Sequence, residues 1–205
     1  DRAEEYYKRA MDKDTEHANN LGNYAFFLDR VRKDPDRAEE YYKRALDAEP
    51  DNPDALGSYA LFLDDSRKDP DRAEGYYKRA LAVDPGHANN LGNYARLLLE
   101  KREDDKAWKV VHRALDEAVA DPLRAELYFY MFALAEPSQA EDALRNLIQL
   151  IKAGVRSPYW NFDPIIARAR QDGHREIEWL PLLSDVITDR ADVDVLDQWS
   201  AWHST

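Results

Sequence analysis

The stretch DRAEEYYKRA, at residues 36–45, decides how this chain folds. It is identical at residues 1–10, and it returns at residues 71–80 with glycine in place of its fifth residue. Successive copies therefore lie 35 residues apart. Self-similarity at a fixed period of this length predicts a stacked solenoid, in which each unit buries its apolar face against its neighbours.

A second block has the same period and supplies the other half of each unit. HANNLGNYA spans residues 17–25 and returns letter for letter at residues 87–95, and NPDALGSYA at residues 52–60 is a weaker copy. Apolar side chains recur at helical spacing in both blocks, at Leu56, Tyr59, Ala60 and Leu63 in one and at Ala38, Tyr41, Tyr42, Ala45 and Leu46 in the other. Each unit is therefore predicted to be two helices joined by a turn.

Residues with a preference for helix ends bound these segments. Asp36 is expected to cap the second helix of its unit, with Glu39 reaching back as in a capping box, and Asp71 repeats the device. Pro50 follows the same helix as a stop signal. The aromatic doublet Tyr41-Tyr42, which recurs in each copy, is expected to pack in the core and between stacked units.

This combination of period and residues resembles the tetratricopeptide repeat (TPR) family, in a bacterial-type 35-residue variant. Residues at the family's key positions are Leu21, Tyr24, Ala25 and Leu28 on the first helix (A), and Ala38, Tyr42, Ala45 and the closing Pro50 on the second (B). The family unit has about 34 residues, so the extra residue is expected in the A–B turn, around Arg32–Asp34 and Arg67–Asp69. The resemblance implies an all-α fold, a right-handed TPR superhelix of helix–turn–helix pairs with a helical C-terminal cap.

The repeat pattern also suggests how the chain is divided. The TPR array is expected at residues 1–153, with a truncated first unit and a degenerate fourth, and the helical cap at residues 154–205. Because the chain begins inside a repeat, we expect a fragment of a longer protein. Side chains expected to cover the apolar end of the last helix pair are Trp179, Leu180, Leu183, Val186 and Ile187. Terminal units of a solenoid need such a different surface.

Composition excludes several classes of function. The chain has 41 acidic and 29 basic residues and a formal net charge of −12, spread evenly, so binding to nucleic acid or an anionic membrane is disfavoured. The absence of cysteine excludes disulfides, thiol catalysis and cysteine metal sites. Because neither a long apolar run nor a signal peptide is present, a cytoplasmic location is expected.

In the family, the A helices line a concave surface that binds peptides. The predicted groove residues in this chain are Asn19, Asn23, Phe26, Ser58, Leu61, Asn89, Asn93 and Arg96. Asn23, Ser58 and Asn93 would form a polar ladder, since an amide both donates to and accepts from a peptide backbone. The alternative is that Asn23 and Asn93 repeat only because a duplication copied them.

The chemistry of the groove indicates its ligand. The family's carboxylate clamp, which binds the acidic tails of chaperones, combines asparagines with lysines and arginines on the A helices. Asn23 and Asn93 match its asparagines, but the lysines are absent, Arg96 is the only basic residue nearby, and Asp29 and Asp64 add negative charge. A neutral or basic protein or peptide partner is therefore expected.

These observations favour a non-catalytic protein-interaction scaffold that needs no cofactor or metal. The alternatives are a regulatory or substrate-recruiting segment of a larger enzyme, and a self-assembly module that docks through the truncated N-terminal helix, Arg2–Met11. The sequence around Asp172–His174 fits a helix C-cap better than a catalytic site. Asp residues from Asp189 to Asp197 lack the glycine and the closing glutamate of a calcium loop.

Overall fold

A computed structural model describes residues 2, 4–7, 17–118, 120–158 and 160–203, and no strand occurs among these residues. Residues 4–7 are helical, and part of the expected N-terminal helix Arg2–Met11 lies outside the described residues. The α-helices are α1 (Ala18–Phe27), α2 (Pro35–Ala48), α3 (Pro53–Asp65), α4 (Pro70–Val83), α5 (Ala88–Glu100), α6 (Asp104–Glu117), α7 (Asp121–Leu134), α8 (Pro137–Lys152), α9 (Asp163–Gln171), α10 (Trp179–Ile187) and α11 (Ser200–His203). A π-helical turn at Leu28–Arg32 extends α1, and a 3-10 helix spans Val193–Leu196. The all-α prediction is confirmed.

Two compact units divide the chain, Asp1–Leu97 and Leu98–Thr205. In the first, α1 packs along α2, and α3 packs along α4. In the second, α7 and α8 form the same kind of pair. The predicted helix–turn–helix pairs are therefore confirmed, and the division expected between a repeat array at residues 1–153 and a cap at residues 154–205 stays a prediction.

Small and aromatic residues share the core of the first unit. Ala25, Ala60 and Ala38 are fully buried, which lets the helices approach closely. Tyr42 and Tyr77 are buried, whereas Tyr41 packs edge-on against Tyr24 of an A helix, with ring centroids 4.7 Å apart. In the first doublet Tyr7 is half-buried and Tyr6 is 58% exposed. The core-packing interpretation is confirmed for the second and third doublets, but not for the exposed Tyr6.

The helix caps differ from the predicted ones. Asp34, not Asp36, caps α2, because its carboxylate accepts a hydrogen bond from the backbone N–H of Arg37 at 3.2 Å. Pro35 takes the first helical position, where its missing N–H costs nothing. Asp69 caps α4 in the same way, so the predicted cap at Asp71 is also wrong.

The extra residue of the 35-residue unit lies in the A–B turn. The N–H of Asp34 donates to the carbonyl of Leu28, six residues back, and the same bond recurs one period later. In the following turn the N–H of Glu103 donates to Leu98, only five residues back, which matches the shorter period there. Lys33 takes a left-handed conformation (φ 56°) to close the first of these turns.

A repeated polar contact joins consecutive repeats. In the first unit an A-helix tyrosine hydroxyl donates to a glutamate on the preceding B helix three times, at 3.2 Å for Tyr24 and Glu4, 3.2 Å for Tyr59 and Glu39, and 3.3 Å for Tyr94 and Glu74. Because the tyrosine rings also pack in the core, this contact fixes the depth at which each unit docks on the one before.

The C-terminal residues pack on α7. The rings of Phe162 and Phe129 lie 4.2 Å apart, and the indole N–H of Trp160 donates to the Tyr130 hydroxyl at 2.5 Å. The predicted covering residues Leu180, Leu183, Val186 and Ile187 are fully buried, whereas Trp179 is half-buried and stacks on Trp199. The packing accounts for the apolar character of this segment, and its role as a cap remains a prediction.

Candidate functional site

A cleft of about 280 Å³ opens between α1 and α3, the A helices of two consecutive repeats. Its lining residues are Ala18, Asn19, Gly22, Asn23, Asp54, Ala55 and Ser58. Three of the predicted groove residues, Asn19, Asn23 and Ser58, therefore meet at one place. The cleft is the candidate binding site of the first unit.

Helical periodicity explains why polar groups line this cleft. Leu21, Tyr24 and Ala25 are fully buried in the core, so Asn19 and Asn23 lie on the opposite face of α1 and are exposed. At the other side of the cleft, Asn52 caps α3, since its Oδ1 accepts from the N–H of Ala55 at 2.9 Å. The Nδ2 of Asn52 also donates to Oδ1 of Asn19 at 3.2 Å, which orients that amide.

The equivalent space between α3 and α5 is filled. Asn90 is buried there, and its Nδ2 donates to the carbonyl of Pro53 at 2.9 Å. A Cβ on Gly57 would lie only 1.8 Å from Oδ1 of Asn90, whereas a Cβ on Gly22 would meet nothing within 4 Å. Ala55 occupies the position that corresponds to Asn90, so its small side chain leaves the first space open.

The other predicted groove residues lie outside this cleft. Asn89 is exposed, and Leu61 is half-buried. Phe26 is 41% exposed and lies 5.8 Å from the guanidinium of Arg30. Asn93 is half-buried, and its Oδ1 is buried with no hydrogen-bond partner among the described residues. Within the described residues the cleft thus joins the first two rungs of the predicted ladder, Asn23 and Ser58, without the third.

Arg96 is a correction to the predicted groove. It is only 4% exposed, and its guanidinium binds Asp64 at 2.8 Å and Asp65 at 2.9 Å. Arg30 binds the same Asp65 at 2.5 Å. Arg96 therefore forms ion pairs inside the fold rather than facing a ligand, and Asp64, one of the two carboxylates that suggested a basic ligand, is already paired.

Burial and ion pairing shift the pKa values of Asp64 and Asp65 in opposite directions. Burial raises the pKa of Asp64, because the Arg96 guanidinium compensates only part of the lost hydration. Burial also acts to raise the pKa of Asp65, but the guanidiniums of Arg96 and Arg30 outweigh it, and this pKa is lowered. The pair is thus a structural ion network on α3.

A second cleft, of about 270 Å³, lies within the second unit between α9 and α10. Its lining residues are Asp163, Ile166, Ala167, Arg170, Pro181, Ser184, Asp185 and Arg190. Arg190 donates to Asp185 at 2.9 Å and to the Ser184 hydroxyl at 3.3 Å. One of the two arginines that line this cleft therefore already has partners. No sequence motif indicated this cleft, since it forms between helices outside the repeat.

The sequence around Asp172–His174 is a helix C-cap, as predicted. Gly173 has a φ of 76°, and the N–H of His174 donates to the carbonyl of Ala169 at 2.9 Å, which closes the last turn of α9. Across the described residues, no group of three or more His, Cys, Asp or Glu side chains could hold a metal ion. Nor does any helix in the described part of the chain have the length and apolar character needed to cross a membrane.

Family models match the repeated part of the chain. One tetratricopeptide repeat model matches residues 29–88, and another matches residues 66–128. Together these matches run from the end of α1 into α7. None of the curated proteins matches this chain.

Solved structures share the fold at low sequence identity. PilW, described as a widely conserved type IV pilus biogenesis factor, is 15% identical with a TM-score of 0.64, over 96% of this chain and 86% of its own. YrrB, described as a TPR protein with an unusual peptide-binding site, is 14% identical with a TM-score of 0.55, over 96% of each chain. A mutant O-GlcNAc transferase from Thermobaculum terrenum is 22% identical with a TM-score of 0.57 over 68% of this chain, which spans only 26% of the transferase.

Proposed function

The chain is a tetratricopeptide repeat protein, and on that premise we propose that it is a non-catalytic scaffold that binds an extended peptide segment of a partner protein between α1 and α3. The observation that carries this proposal is the open cleft beside Gly22, at an interface whose repeat counterpart is filled. A space that one repeat fills and another leaves open is suited to an external group.

The lining chemistry suits a peptide. Asn19 and Asn23 are exposed amides that both donate and accept, and the Ser58 hydroxyl does the same, so the cleft offers partners to peptide N–H and C=O groups. Asp54 is the one carboxylate in the lining, and its Oδ1 lies 3.0 Å from Nε2 of His87. This lining favours a neutral or weakly basic segment over an acidic one.

The resemblance to solved structures supports the same class of function. YrrB, which this chain matches over nearly its whole length, is described as having a peptide-binding site, and PilW is described as a biogenesis factor. Neither description names an enzymatic activity. With a net charge of −12 the proposed partner is a protein rather than nucleic acid, and a cytoplasmic location remains our prediction.

The test uses a peptide that is selected from a displayed random library for binding to the whole chain. We expect the double variant with Asn23→Ala and Ser58→Ala to bind that peptide with an affinity lower by roughly five-fold or more, since each net hydrogen bond contributes about 0.5–1.5 kcal/mol. Asn89→Ala is the matched control, because Asn89 is exposed but lies outside the cleft. Unchanged affinity in the double variant, with unchanged helicity by circular dichroism, would exclude this cleft as the binding site.

A further inference from the structure

We propose that the group that enters this cleft is a carboxamide, the side chain of an asparagine or glutamine in the partner segment. The inference rests on the proposed function and specifies its ligand. It comes from the chain itself, which seats one of its own carboxamides in the corresponding place one repeat later.

That internal carboxamide belongs to Asn90. It lies against the bare backbone of Gly57, so closely that any side chain there would collide with it, and its Nδ2 donates to the Pro53 carbonyl at 2.9 Å. Asn90 is only 3% exposed, so the space between α3 and α5 encloses an amide group almost completely. This interface is therefore a receptor for a carboxamide, already occupied.

The first interface has the same parts without the occupant. Gly22 corresponds to Gly57, and Ala18, which lines the cleft, corresponds to Pro53. The helix uses only one of the two lone pairs of a backbone carbonyl, so the carbonyl of Ala18 can accept a second hydrogen bond, as that of Pro53 does. Ala55 stands where Asn90 would supply the amide. The missing element is thus a carboxamide from outside.

Other side chains fit this receptor less well. A carboxylate would face a carbonyl and the Asp54 side chain, both of which repel negative charge. An isosteric leucine would offer no hydrogen bond to the carbonyl of Ala18 or to the amide of Asn23, whereas a carboxamide offers both a donor and an acceptor. A lysine ammonium would lose hydration in the cleft with no carboxylate other than Asp54 among the lining residues. A neutral group that both donates and accepts matches the lining.

The first arm of the test uses small probes on the whole chain. N-acetyl-asparagine methylamide is titrated while the backbone amide signals of Gly22, Asn23 and Ser58 are followed by NMR. We expect saturable shifts at these residues, and roughly ten-fold weaker responses to the leucine and aspartate analogues, since ten-fold corresponds to the loss of about one hydrogen bond. Equal responses to the asparagine and leucine analogues, or none to either, would overturn the carboxamide assignment.

The second arm uses variants that fill the cleft from within. Ala55→Asn supplies an internal carboxamide in the manner of Asn90, and Gly22→Ala places a methyl group on the floor. Both are expected to abolish the probe shifts, while Asn89→Ala leaves them unchanged. Gly22→Ala keeps the test decisive if Ala55→Asn disturbs folding, because nothing lies within 4 Å of the added methyl. Probe shifts that persist in a folded Gly22→Ala would place the amide elsewhere and overturn the inference.

Peptide selection separates failure of this inference from failure of the proposed function. Library peptides that carry asparagine or glutamine at one fixed position, and that no longer bind Ala55→Asn, support both. Peptides that lose binding to Ala55→Asn but have no such residue retain the peptide-binding function and overturn the carboxamide. Recovery of no peptide that binds the wild-type chain would overturn both.

Discussion

Two glycines at equivalent positions should respond in opposite ways to the same substitution. Both Gly22 and Gly57 lie inside A helices, where replacing glycine by alanine normally stabilises by about 0.5–1 kcal/mol. Gly22→Ala should show this gain, because its methyl group enters open space. Gly57→Ala should not, because its Cβ would lie 1.8 Å from Oδ1 and 2.7 Å from Cγ of Asn90.

The magnitude for Gly57→Ala follows from what Asn90 would lose. To escape the collision, its amide must leave the Pro53 carbonyl and find no equal partner, which costs about 1–3 kcal/mol for a buried polar group. After subtracting the helical gain, we expect a net loss of up to about 2.5 kcal/mol. Because the helical gain is common to both variants, their free energies of unfolding should differ by about 1–3 kcal/mol.

Urea denaturation followed by circular dichroism measures both variants under identical conditions. A third variant, Gly57→Ala with Asn90→Ala, removes the collision and should cost less than the sum of the two single changes, which is the signature of direct contact. The reasoning is refuted if Gly22→Ala and Gly57→Ala shift the denaturation midpoint in the same direction by similar amounts. It is equally refuted if the Gly57 and Asn90 changes are simply additive.

Three further predictions test other parts of the fold. Ala60 is fully buried, so Ala60→Leu should overpack the core and lower stability by about 1–3 kcal/mol, seen as a lower melting temperature. Burial acts to raise the pKa of Glu39, but Lys43 and Arg67 outweigh it and lower the pKa below its ordinary 4.5. Its stabilising contribution is thus present above about pH 4.5 and lost as the pH falls through the lowered pKa, so Glu39→Gln should show a smaller loss of stability in acid titrations than wild type. Gly154 has a φ of 84° after α8, so Gly154→Ala should cost roughly 1–2 kcal/mol in urea denaturation, and no loss would contradict the left-handed cap.

The sequence predicted the helices well because the repeat displays its own periodicity. Apolar positions such as Leu56, Tyr59 and Ala60 recur with helical spacing, and burial confirms each of them. The predicted caps lie two residues too late, because Asp36 is a residue type that caps helices, whereas Pro35 takes the first helical position and makes Asp34 the cap. The repeat pattern therefore predicts that these segments are helices, whereas the exact start of α2 depends on Pro35, which lies outside the apolar pattern.

Ion pairs between distant residues could not be read from the sequence. Arg96 was expected to face a ligand because its position on the A helix matches groove residues, yet it binds Asp64 and Asp65, 32 and 31 residues away. In the second unit Arg168 is buried and donates to Asp104, 64 residues away, at 2.7 Å. A long charged side chain covers several ångströms, so its direction is decided by which carboxylates the fold brings within reach.

The open cleft could not be predicted from the sequence either, because it depends on which residues of neighbouring repeats meet. The blocks at residues 17–25 and 87–95 are identical, whereas the weaker copy between them has Ala55 where they have Asn20 and Asn90. What distinguishes the two interfaces is a pair of residues from different repeats: Gly22 faces Ala55, whereas Gly57 faces Asn90. The paired residues are separated by 33 positions in both cases, and only the second pair contains a side chain large enough to fill the space. Duplication therefore copied the surface of each helix, while the choice between an open cleft and a closed one was made by the neighbour. A binding site of this kind lies at an interface between repeats. Its specificity depends on the side chain that the next repeat lacks, which here is the carboxamide that Asn90 supplies to the other interface and Ala55 does not.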